Sequence, residues 1–218
     1  MGMFLNSIEP YDKYKTITKG LYFVDKTELL EELIPALEQE QRFFCITRPR
    51  RFGKTVMANM IASFFEKSEG GSDIFDRLKI SEYPKYKEHL NKHDVVYIDF
   101  SEMPKECDSY KKYISRIEEG IYYDLREKYS DLYLKQEDAI WDIFSKIFNE
   151  TKKKFIFVMD EWDAVFHMSF MTEKNREDYL LFLKLLLKGQ SYVELAYMTG
   201  VLPIAKYSDG SELNMFLE

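Results

Sequence analysis

A chain of 218 residues has room for one large α/β domain or two small ones. Hydrophobic residues make up 45% of it, with 17 Phe, 16 Tyr and 2 Trp, enough for a sizeable core without disulfides or structural metal, and too many for intrinsic disorder. The net charge of −7 lacks the basic surplus of a domain that grips nucleic acid through its phosphates, and no apolar stretch is long enough to span a membrane.

The first residues lack the basic segment and long apolar core of a signal peptide, so the expected location is cytoplasmic. Residues 1–20 are mixed in character and are predicted to be extended. Leu21-Tyr22-Phe23-Val24 is a short apolar run ending at Asp25. Leu29, Leu30, Leu33, Ile34 and Leu37 recur at helical spacing and predict a helix over 27–37, with Thr27 near its start as the cap.

Phe43-Phe44-Cys45-Ile46-Thr47 is a nearly continuous apolar run, the form of a strand buried on both faces of a parallel sheet. A loop follows, and then Val56, Met57, Met60, Ile61, Phe64 and Phe65 mark a helix over 54–66. Ser68 to Ser72 reads as a turn. Asp94 to Phe100 is the second strand, 109–129 and 137–150 are helices, and Phe155 to Asp160 is the third strand. A helix over 173–188 stops at Gly189, and Val193 to Thr199 is the fourth strand. Alternating strands and helices predict an α/β fold, a three-layer α/β/α sandwich around a mostly parallel sheet. Cys45 reads as a buried small hydrophobe and Cys107 as a surface thiol; together they form no disulfide framework or zinc pattern. The chain stops at Asn214-Met215-Phe216-Leu217-Glu218 with no polar tail, which reads as one domain over 1–218 cut from a longer protein.

Arg48-Pro49-Arg50-Arg51-Phe52-Gly53-Lys54-Thr55 fits the phosphate-loop pattern except that Arg48 stands where the first glycine is expected. In such a loop the backbone N–H groups of Arg51 to Val56, with Gly53 allowing close approach, surround phosphate oxygens at a helix N-terminus. Lys54 would contact the β- and γ-phosphates, and the Thr55 hydroxyl would ligate Mg2+. The plain alternative is a loop capped by a lysine. The strand 155–160 ends in Asp160-Glu161, placing one acid for the magnesium shell and a second to orient and deprotonate an attacking water. Taken alone, it is equally a core strand ending in a solvated acidic turn. The strand 95–100 lies between the two motifs in sequence. This suits the phosphate-loop class with an additional strand and a catalytic glutamate, in which Thr199 is the candidate γ-phosphate contact or simply a threonine before a glycine turn.

Four stretches together resemble the AAA-ATPase-like family of predicted phosphate-loop ATPases: Tyr22-Phe23-Val24-Asp25-Lys26-Thr27, Ile46 to Thr55, Phe157-Val158-Met159-Asp160-Glu161-Trp162-Asp163, and Met198-Thr199-Gly200-Val201-Leu202. That family also lacks the first glycine of the loop. The resemblance implies ATP and Mg2+ as ligands, catalytic roles for Lys54 and Glu161, and metal contacts from Thr55 and Asp160. It also implies an adenine-side motif within residues 1–40, where Tyr22 and Phe23 flank the base or pack on the core. Members often continue into a nuclease-like C-terminal domain, which would bring nucleic acid as a partner. Asp99, Glu102 and Lys105 imitate its acid-acid-lysine set, but Pro104 breaks the spacing, and Asp99 reads as a strand end.

Arg48, Arg50 and Arg51 could bind phosphate, pair with acids, or contact nucleic acid or a neighbouring subunit such as a second copy of the chain. His89 and His93 have metal-pair spacing without a third ligand and read as a solvated helix face. Three functions stay open: an ATPase driving an attached or partner domain, a nucleotide switch with little hydrolysis, and the motor of a nucleic-acid-processing protein.

Overall fold

The computed structural model describes residues 2–67, 74–207 and 212–218; the turn expected at 68–72 lies outside them. Four strands, β1 (Phe43–Thr47), β2 (Asp94–Asp99), β3 (Phe155–Asp160) and β4 (Val193–Gly200), form one all-parallel sheet in the order β1-β4-β3-β2. The sheet carries seven α-helices among the described residues: α1 (Glu9–Thr18), α2 (Leu29–Ala36), α3 (Lys54–Phe65), α4 (Tyr86–His89), α5 (Tyr110–Lys128), α6 (Ile140–Thr151) and α7 (Glu173–Leu187).

The middles of the strands are mostly apolar because both faces of the sheet are covered. On one face Val96, Ile98, Phe157, Met159 and Met198 pack with Ile117 and Ile121 of α5, Phe144 and Ile147 of α6, and Leu183 of α7. On the other, Val95, Tyr97, Ile156, Val158 and Tyr197 pack with Leu30 and Ile34 of α2 and Ile61, Phe64 and Phe65 of α3. The result is a three-layer α/β/α sandwich of the phosphate-loop kind. The strand between β1 and β3 is β4, whereas the strand that separates the two motifs in sequence, β2, lies beyond β3.

Several local expectations are corrected. Residues 9–18 are helical, with Pro10 in the first turn and Tyr11 and Tyr14 turned inward. Only a short stretch before them is extended: Asn6 donates to Val95 O (2.8 Å), Tyr97 donates to Phe4 O (2.9 Å), and this covers the outer edge of β2. Thr27 does not cap α2. Its hydroxyl donates to Asp25 Oδ1 (2.7 Å) and accepts from the Ile80 N–H (3.1 Å), while Lys79 N–H donates to Asp25 Oδ2 (2.7 Å). This latch ties the 22–27 segment to a 3-10 turn at Lys79–Glu82. Cys107 is half-buried, its thiol on Ser109 O. At the chain's end Leu217 exchanges backbone hydrogen bonds with Phe43 and Cys45, extending the sheet past β1.

His89 and His93 do not form a solvated helix face. α4 ends at His89, and His93 lies in the lead-in to β2. His89 Nδ1 meets His93 Nε2 at 3.0 Å, and His93 Nδ1 meets Glu194 Oε2 at 2.9 Å. The two rings lie in nearly parallel planes with their centroids 5.3 Å apart.

Candidate nucleotide site

In an open parallel sheet, ligands bind outside the carboxyl ends of the strands. Here that edge carries Thr47, Asp99, Asp160 and Gly200 side by side. The loop leaving β1 is pinned to β4 by Arg48 N–H on Gly200 O (3.2 Å). It then turns through two left-handed residues, Arg51 (φ +69°) and Gly53 (φ +80°), and Gly53 starts α3. Left-handed backbone is cheap for glycine and costs about 1–2 kcal/mol for other residues, so Arg51 is held by its surroundings.

Lys54 is buried in the first turn of α3, and its ammonium donates to Arg48 O (2.9 Å) and Pro49 O (3.2 Å) of its own loop. A primary amine with rotatable donors can exchange these for phosphate oxygens. Thr55 and Val56 follow in the same turn. Phe52, 64% exposed, and the arginines 48, 50 and 51 lie on the outer side of the loop.

Asp160 is fully buried at the tip of β3. Its Oδ1 accepts from the Thr199 hydroxyl, and the Thr55 hydroxyl lies beside the carboxyl and favours its charged form. Burial outweighs both and raises its pKa, while Oδ2 has no hydrogen-bond partner. Glu161 takes a left-handed conformation (φ +50°), and its N–H donates to Thr199 Oγ1 (3.3 Å). Its pKa is raised by burial and by the charges of Asp160 and Asp99, against the pull of Lys54 and Arg50. Thr199, fully buried on β4 between the two motif strands, therefore serves both acids at once.

Asp163 does not face this cluster. Its carboxylate accepts from the N–H groups of Val201 (3.0 Å) and Leu202 (3.0 Å) and braces the turn after β4. Asp99, read from sequence only as a strand end, sits in register with Asp160. The signal was available, since the runs ending at Asp99 and Asp160 have the same form.

Beside the loop, α1, the 22–26 segment and α3 enclose a cavity of about 200 Å³ lined in part by Tyr14, Tyr22, Phe23, Gly53, Val56 and Met57. Tyr22 is 90% exposed at its rim. Asp25 and Thr27, through the latch to Lys79 and Ile80, fix the chain that forms this wall.

A family model described as predicted AAA-ATPase matches residues 8–208. The chain belongs to the family of predicted AAA-ATPases. The match takes in the β1–α3 loop, the Asp160-Glu161 strand end and the cavity wall. No curated protein and no solved structure matches the chain. As a member of this family it is an ATPase-like protein, and among the described residues no helix is long and apolar enough to cross a membrane.

Proposed function

We propose that the domain binds MgATP at the β1–α3 loop and hydrolyses it. The observation that supports this most directly is that the Thr55 hydroxyl, in the first turn of α3 after β1, acts on the Asp160 carboxyl at the tip of β3, although β4 lies between the two strands. A hydroxyl and a carboxylate side by side are hard oxygen donors of the kind Mg2+ takes. The unpartnered, buried Oδ2 of Asp160 is a ready acceptor for a cation or its water.

In this reading the N–H groups from Arg51 to Val56 cradle the phosphates, with Gly53 keeping the approach open. Lys54 leaves its loop carbonyls for the β- and γ-phosphate oxygens. Thr55 and Asp160 would hold the metal, whose chemistry would be to neutralise charge on the triphosphate. Thr199 orients Asp160 and Glu161. Glu161 takes the proton of a water whose oxygen bonds to the γ-phosphorus as the bond from that phosphorus to the bridging oxygen breaks, releasing ADP and phosphate. Its raised pKa makes it a stronger base than an ordinary carboxylate. Tyr22 lies at the base end of the nucleotide. The energy would move an attached or partner domain, the candidates being a nuclease-like C-terminal neighbour, which the family resemblance suggests, and a second copy of the chain.

The test is binding and turnover of ATP by the wild type, Lys54→Ala and Glu161→Gln. Lys54→Ala is expected to lose binding, and Glu161→Gln to bind but turn over about 10²–10⁴-fold more slowly. Wild-type binding without turnover would instead make the domain a switch. Stimulation by added DNA or RNA would point to the nucleic-acid-processing role.

A further inference from the structure

A second group of ligating side chains lies at the other end of the sheet. His93 precedes β2 and Glu194 is the second residue of β4, so both sit at the amino ends of the strands, away from the edge that carries Asp160. The backbone of His93 is fixed on both sides: its N–H donates to Phe65 O (2.9 Å), and its carbonyl accepts from the Lys67 N–H (3.0 Å). The Phe65 ring meets the His93 imidazole edge-on at 5.2 Å. His93 Nδ1 lies 2.9 Å from Glu194 Oε2. A carboxylate only accepts, so Nδ1 carries a proton, and in the neutral ring Nε2 holds the lone pair. That lone pair is met by His89 Nδ1 at 3.0 Å, from the last residue of α4. A carboxylate behind a histidine is the usual support of a metal-bound imidazole, because it fixes the tautomer and makes the free nitrogen more basic.

We propose that His89 Nδ1 and His93 Nε2 bind a divalent transition-metal ion of the Zn2+, Cu2+ or Ni2+ class, with Glu194 holding His93 in the ligating tautomer. Bonds of about 2.0–2.1 Å to a tetrahedral ion place two nitrogens about 3.3 Å apart, so the pair opens by only a few tenths of an ångström. His89 supplies that movement, since it closes a helix of four residues, and both imidazoles are partly exposed, which gives the ion a way in. Without metal, His89 Nδ1–H donates to His93 Nε2. On binding, that proton passes to His89 Nε2, so both lone pairs face the ion and the neutral pair keeps its proton count. Among the described residues no third His, Cys, Asp or Glu completes a metal group, so water fills the other positions and the ion exchanges with solvent. Imidazole suits this class of ion, whereas Mg2+ takes oxygen ligands, which separates this site from the strand tip at Asp160. The bound ion ties α4 to the joint where the end of α3 meets the lead-in to β2.

The test is calorimetric titration of Zn2+, without nucleotide and at about pH 7.5, where free imidazole is neutral, into the wild type, His89→Gln, His93→Gln and Glu194→Gln, with His167→Gln and Cys107→Ser as controls. The wild type is expected to take up one ion that excess Mg2+ does not displace. His89→Gln and His93→Gln should lose it, Glu194→Gln should bind about 10–100-fold more weakly, and the two controls should bind as the wild type does. A wild type that takes up no Zn2+, or uptake that survives in both histidine variants, overturns the site, and an unchanged affinity in Glu194→Gln overturns the part given to that carboxylate. Should the variants not fold, the imidazole NMR signals of the wild type decide, since the chain has only 3 histidines. Zn2+ should shift those of His89 and His93 and spare His167. Shifts confined to His167, or none, overturn the proposal, and either result leaves the reading of the β1–α3 loop as it stands.

Discussion

Thr199 donates its hydroxyl to Asp160 and, through the same oxygen, accepts the N–H of Glu161. One side chain on β4 thus sets the aim of two acids on β3. Thr199→Val keeps the shape and removes the hydrogen bonds, leaving a buried carboxylate with neither oxygen paired within the strand tips. The expected cost is about 1–3 kcal/mol of stability, read as a lower melting temperature. Thr199→Ser should restore most of it. ATP turnover is expected to fall more than ATP affinity in Thr199→Val, since the phosphate cradle is on another strand. Equal losses in both would show that Thr199 acts on the phosphates directly.

Two glycines should respond to alanine for different reasons. A Cβ on Gly53 meets nothing within 4 Å, so Gly53→Ala costs only the left-handed backbone, about 1–2 kcal/mol. A Cβ on Gly200 meets Trp162 Nε1 at 2.4 Å and Asp163 Oδ1 at 3.0 Å. Trp162 is fully buried and Asp163 is tied to the turn after β4, so neither can yield without repacking. Gly200→Ala is expected to cost more than Gly53→Ala, on the order of 3 kcal/mol. Denaturant melts of the two variants check the ranking. Nucleotide binding should show the reverse order, because Gly53 lies in the loop proposed to hold the phosphates.

How much of this was legible in the sequence depends on whether the signal was local. All four strands could be read because burial on two faces makes each a largely apolar run, and α3 could be read because its apolar residues follow helical spacing. The order of the strands could not, because pairing of β4 with both β1 and β3 is a property of the whole sheet. α1 escaped because its sequence, Glu9-Pro10-Tyr11-Asp12-Lys13-Tyr14, shows only tyrosines where a helix usually shows leucines. The Lys79–Glu82 turn is too short to carry a period. In the site, Lys54, Thr55, Asp160 and Glu161 stood out as motif residues.

Asp99 bears on the base strength of Glu161. Burial comes first in raising Glu161, then Asp160, then Asp99. Asp99→Asn removes one of those charges and keeps an oxygen for the Ser101 N–H that Asp99 Oδ1 now accepts. Glu161 should then ionise at lower pH, and the acid limb of the turnover profile should move down with it. A weaker base also transfers the proton less readily, so the plateau rate should fall. A limb that stays in place would mean that another group sets it.

Stability should carry its own pH dependence, from the far end of α3. Burial pushes Glu66 up to about 8, although the charge of Lys128 works the other way, and its Oε1 has no partner. In the unfolded chain the same group titrates near 4.5. Between those values the folded protein keeps a proton that the unfolded chain has lost. The stability tied to that proton is complete below about 4.5 and is lost as pH rises toward 8. His89 tilts the curve oppositely, since burial and the facing His93 lower its pKa below 6.5, so its contribution is lost as pH falls. Glu66→Gln separates the two, because it removes the first ionisation and leaves the second. Relative to Glu66→Gln, the wild type is expected to lose roughly 1–3 kcal/mol between about pH 5 and pH 8. Paired melts at the two pH values give that difference directly. A gap that does not widen with pH would mean that Glu66 is ionised in the folded chain, with its carboxylate reaching Lys128 or water.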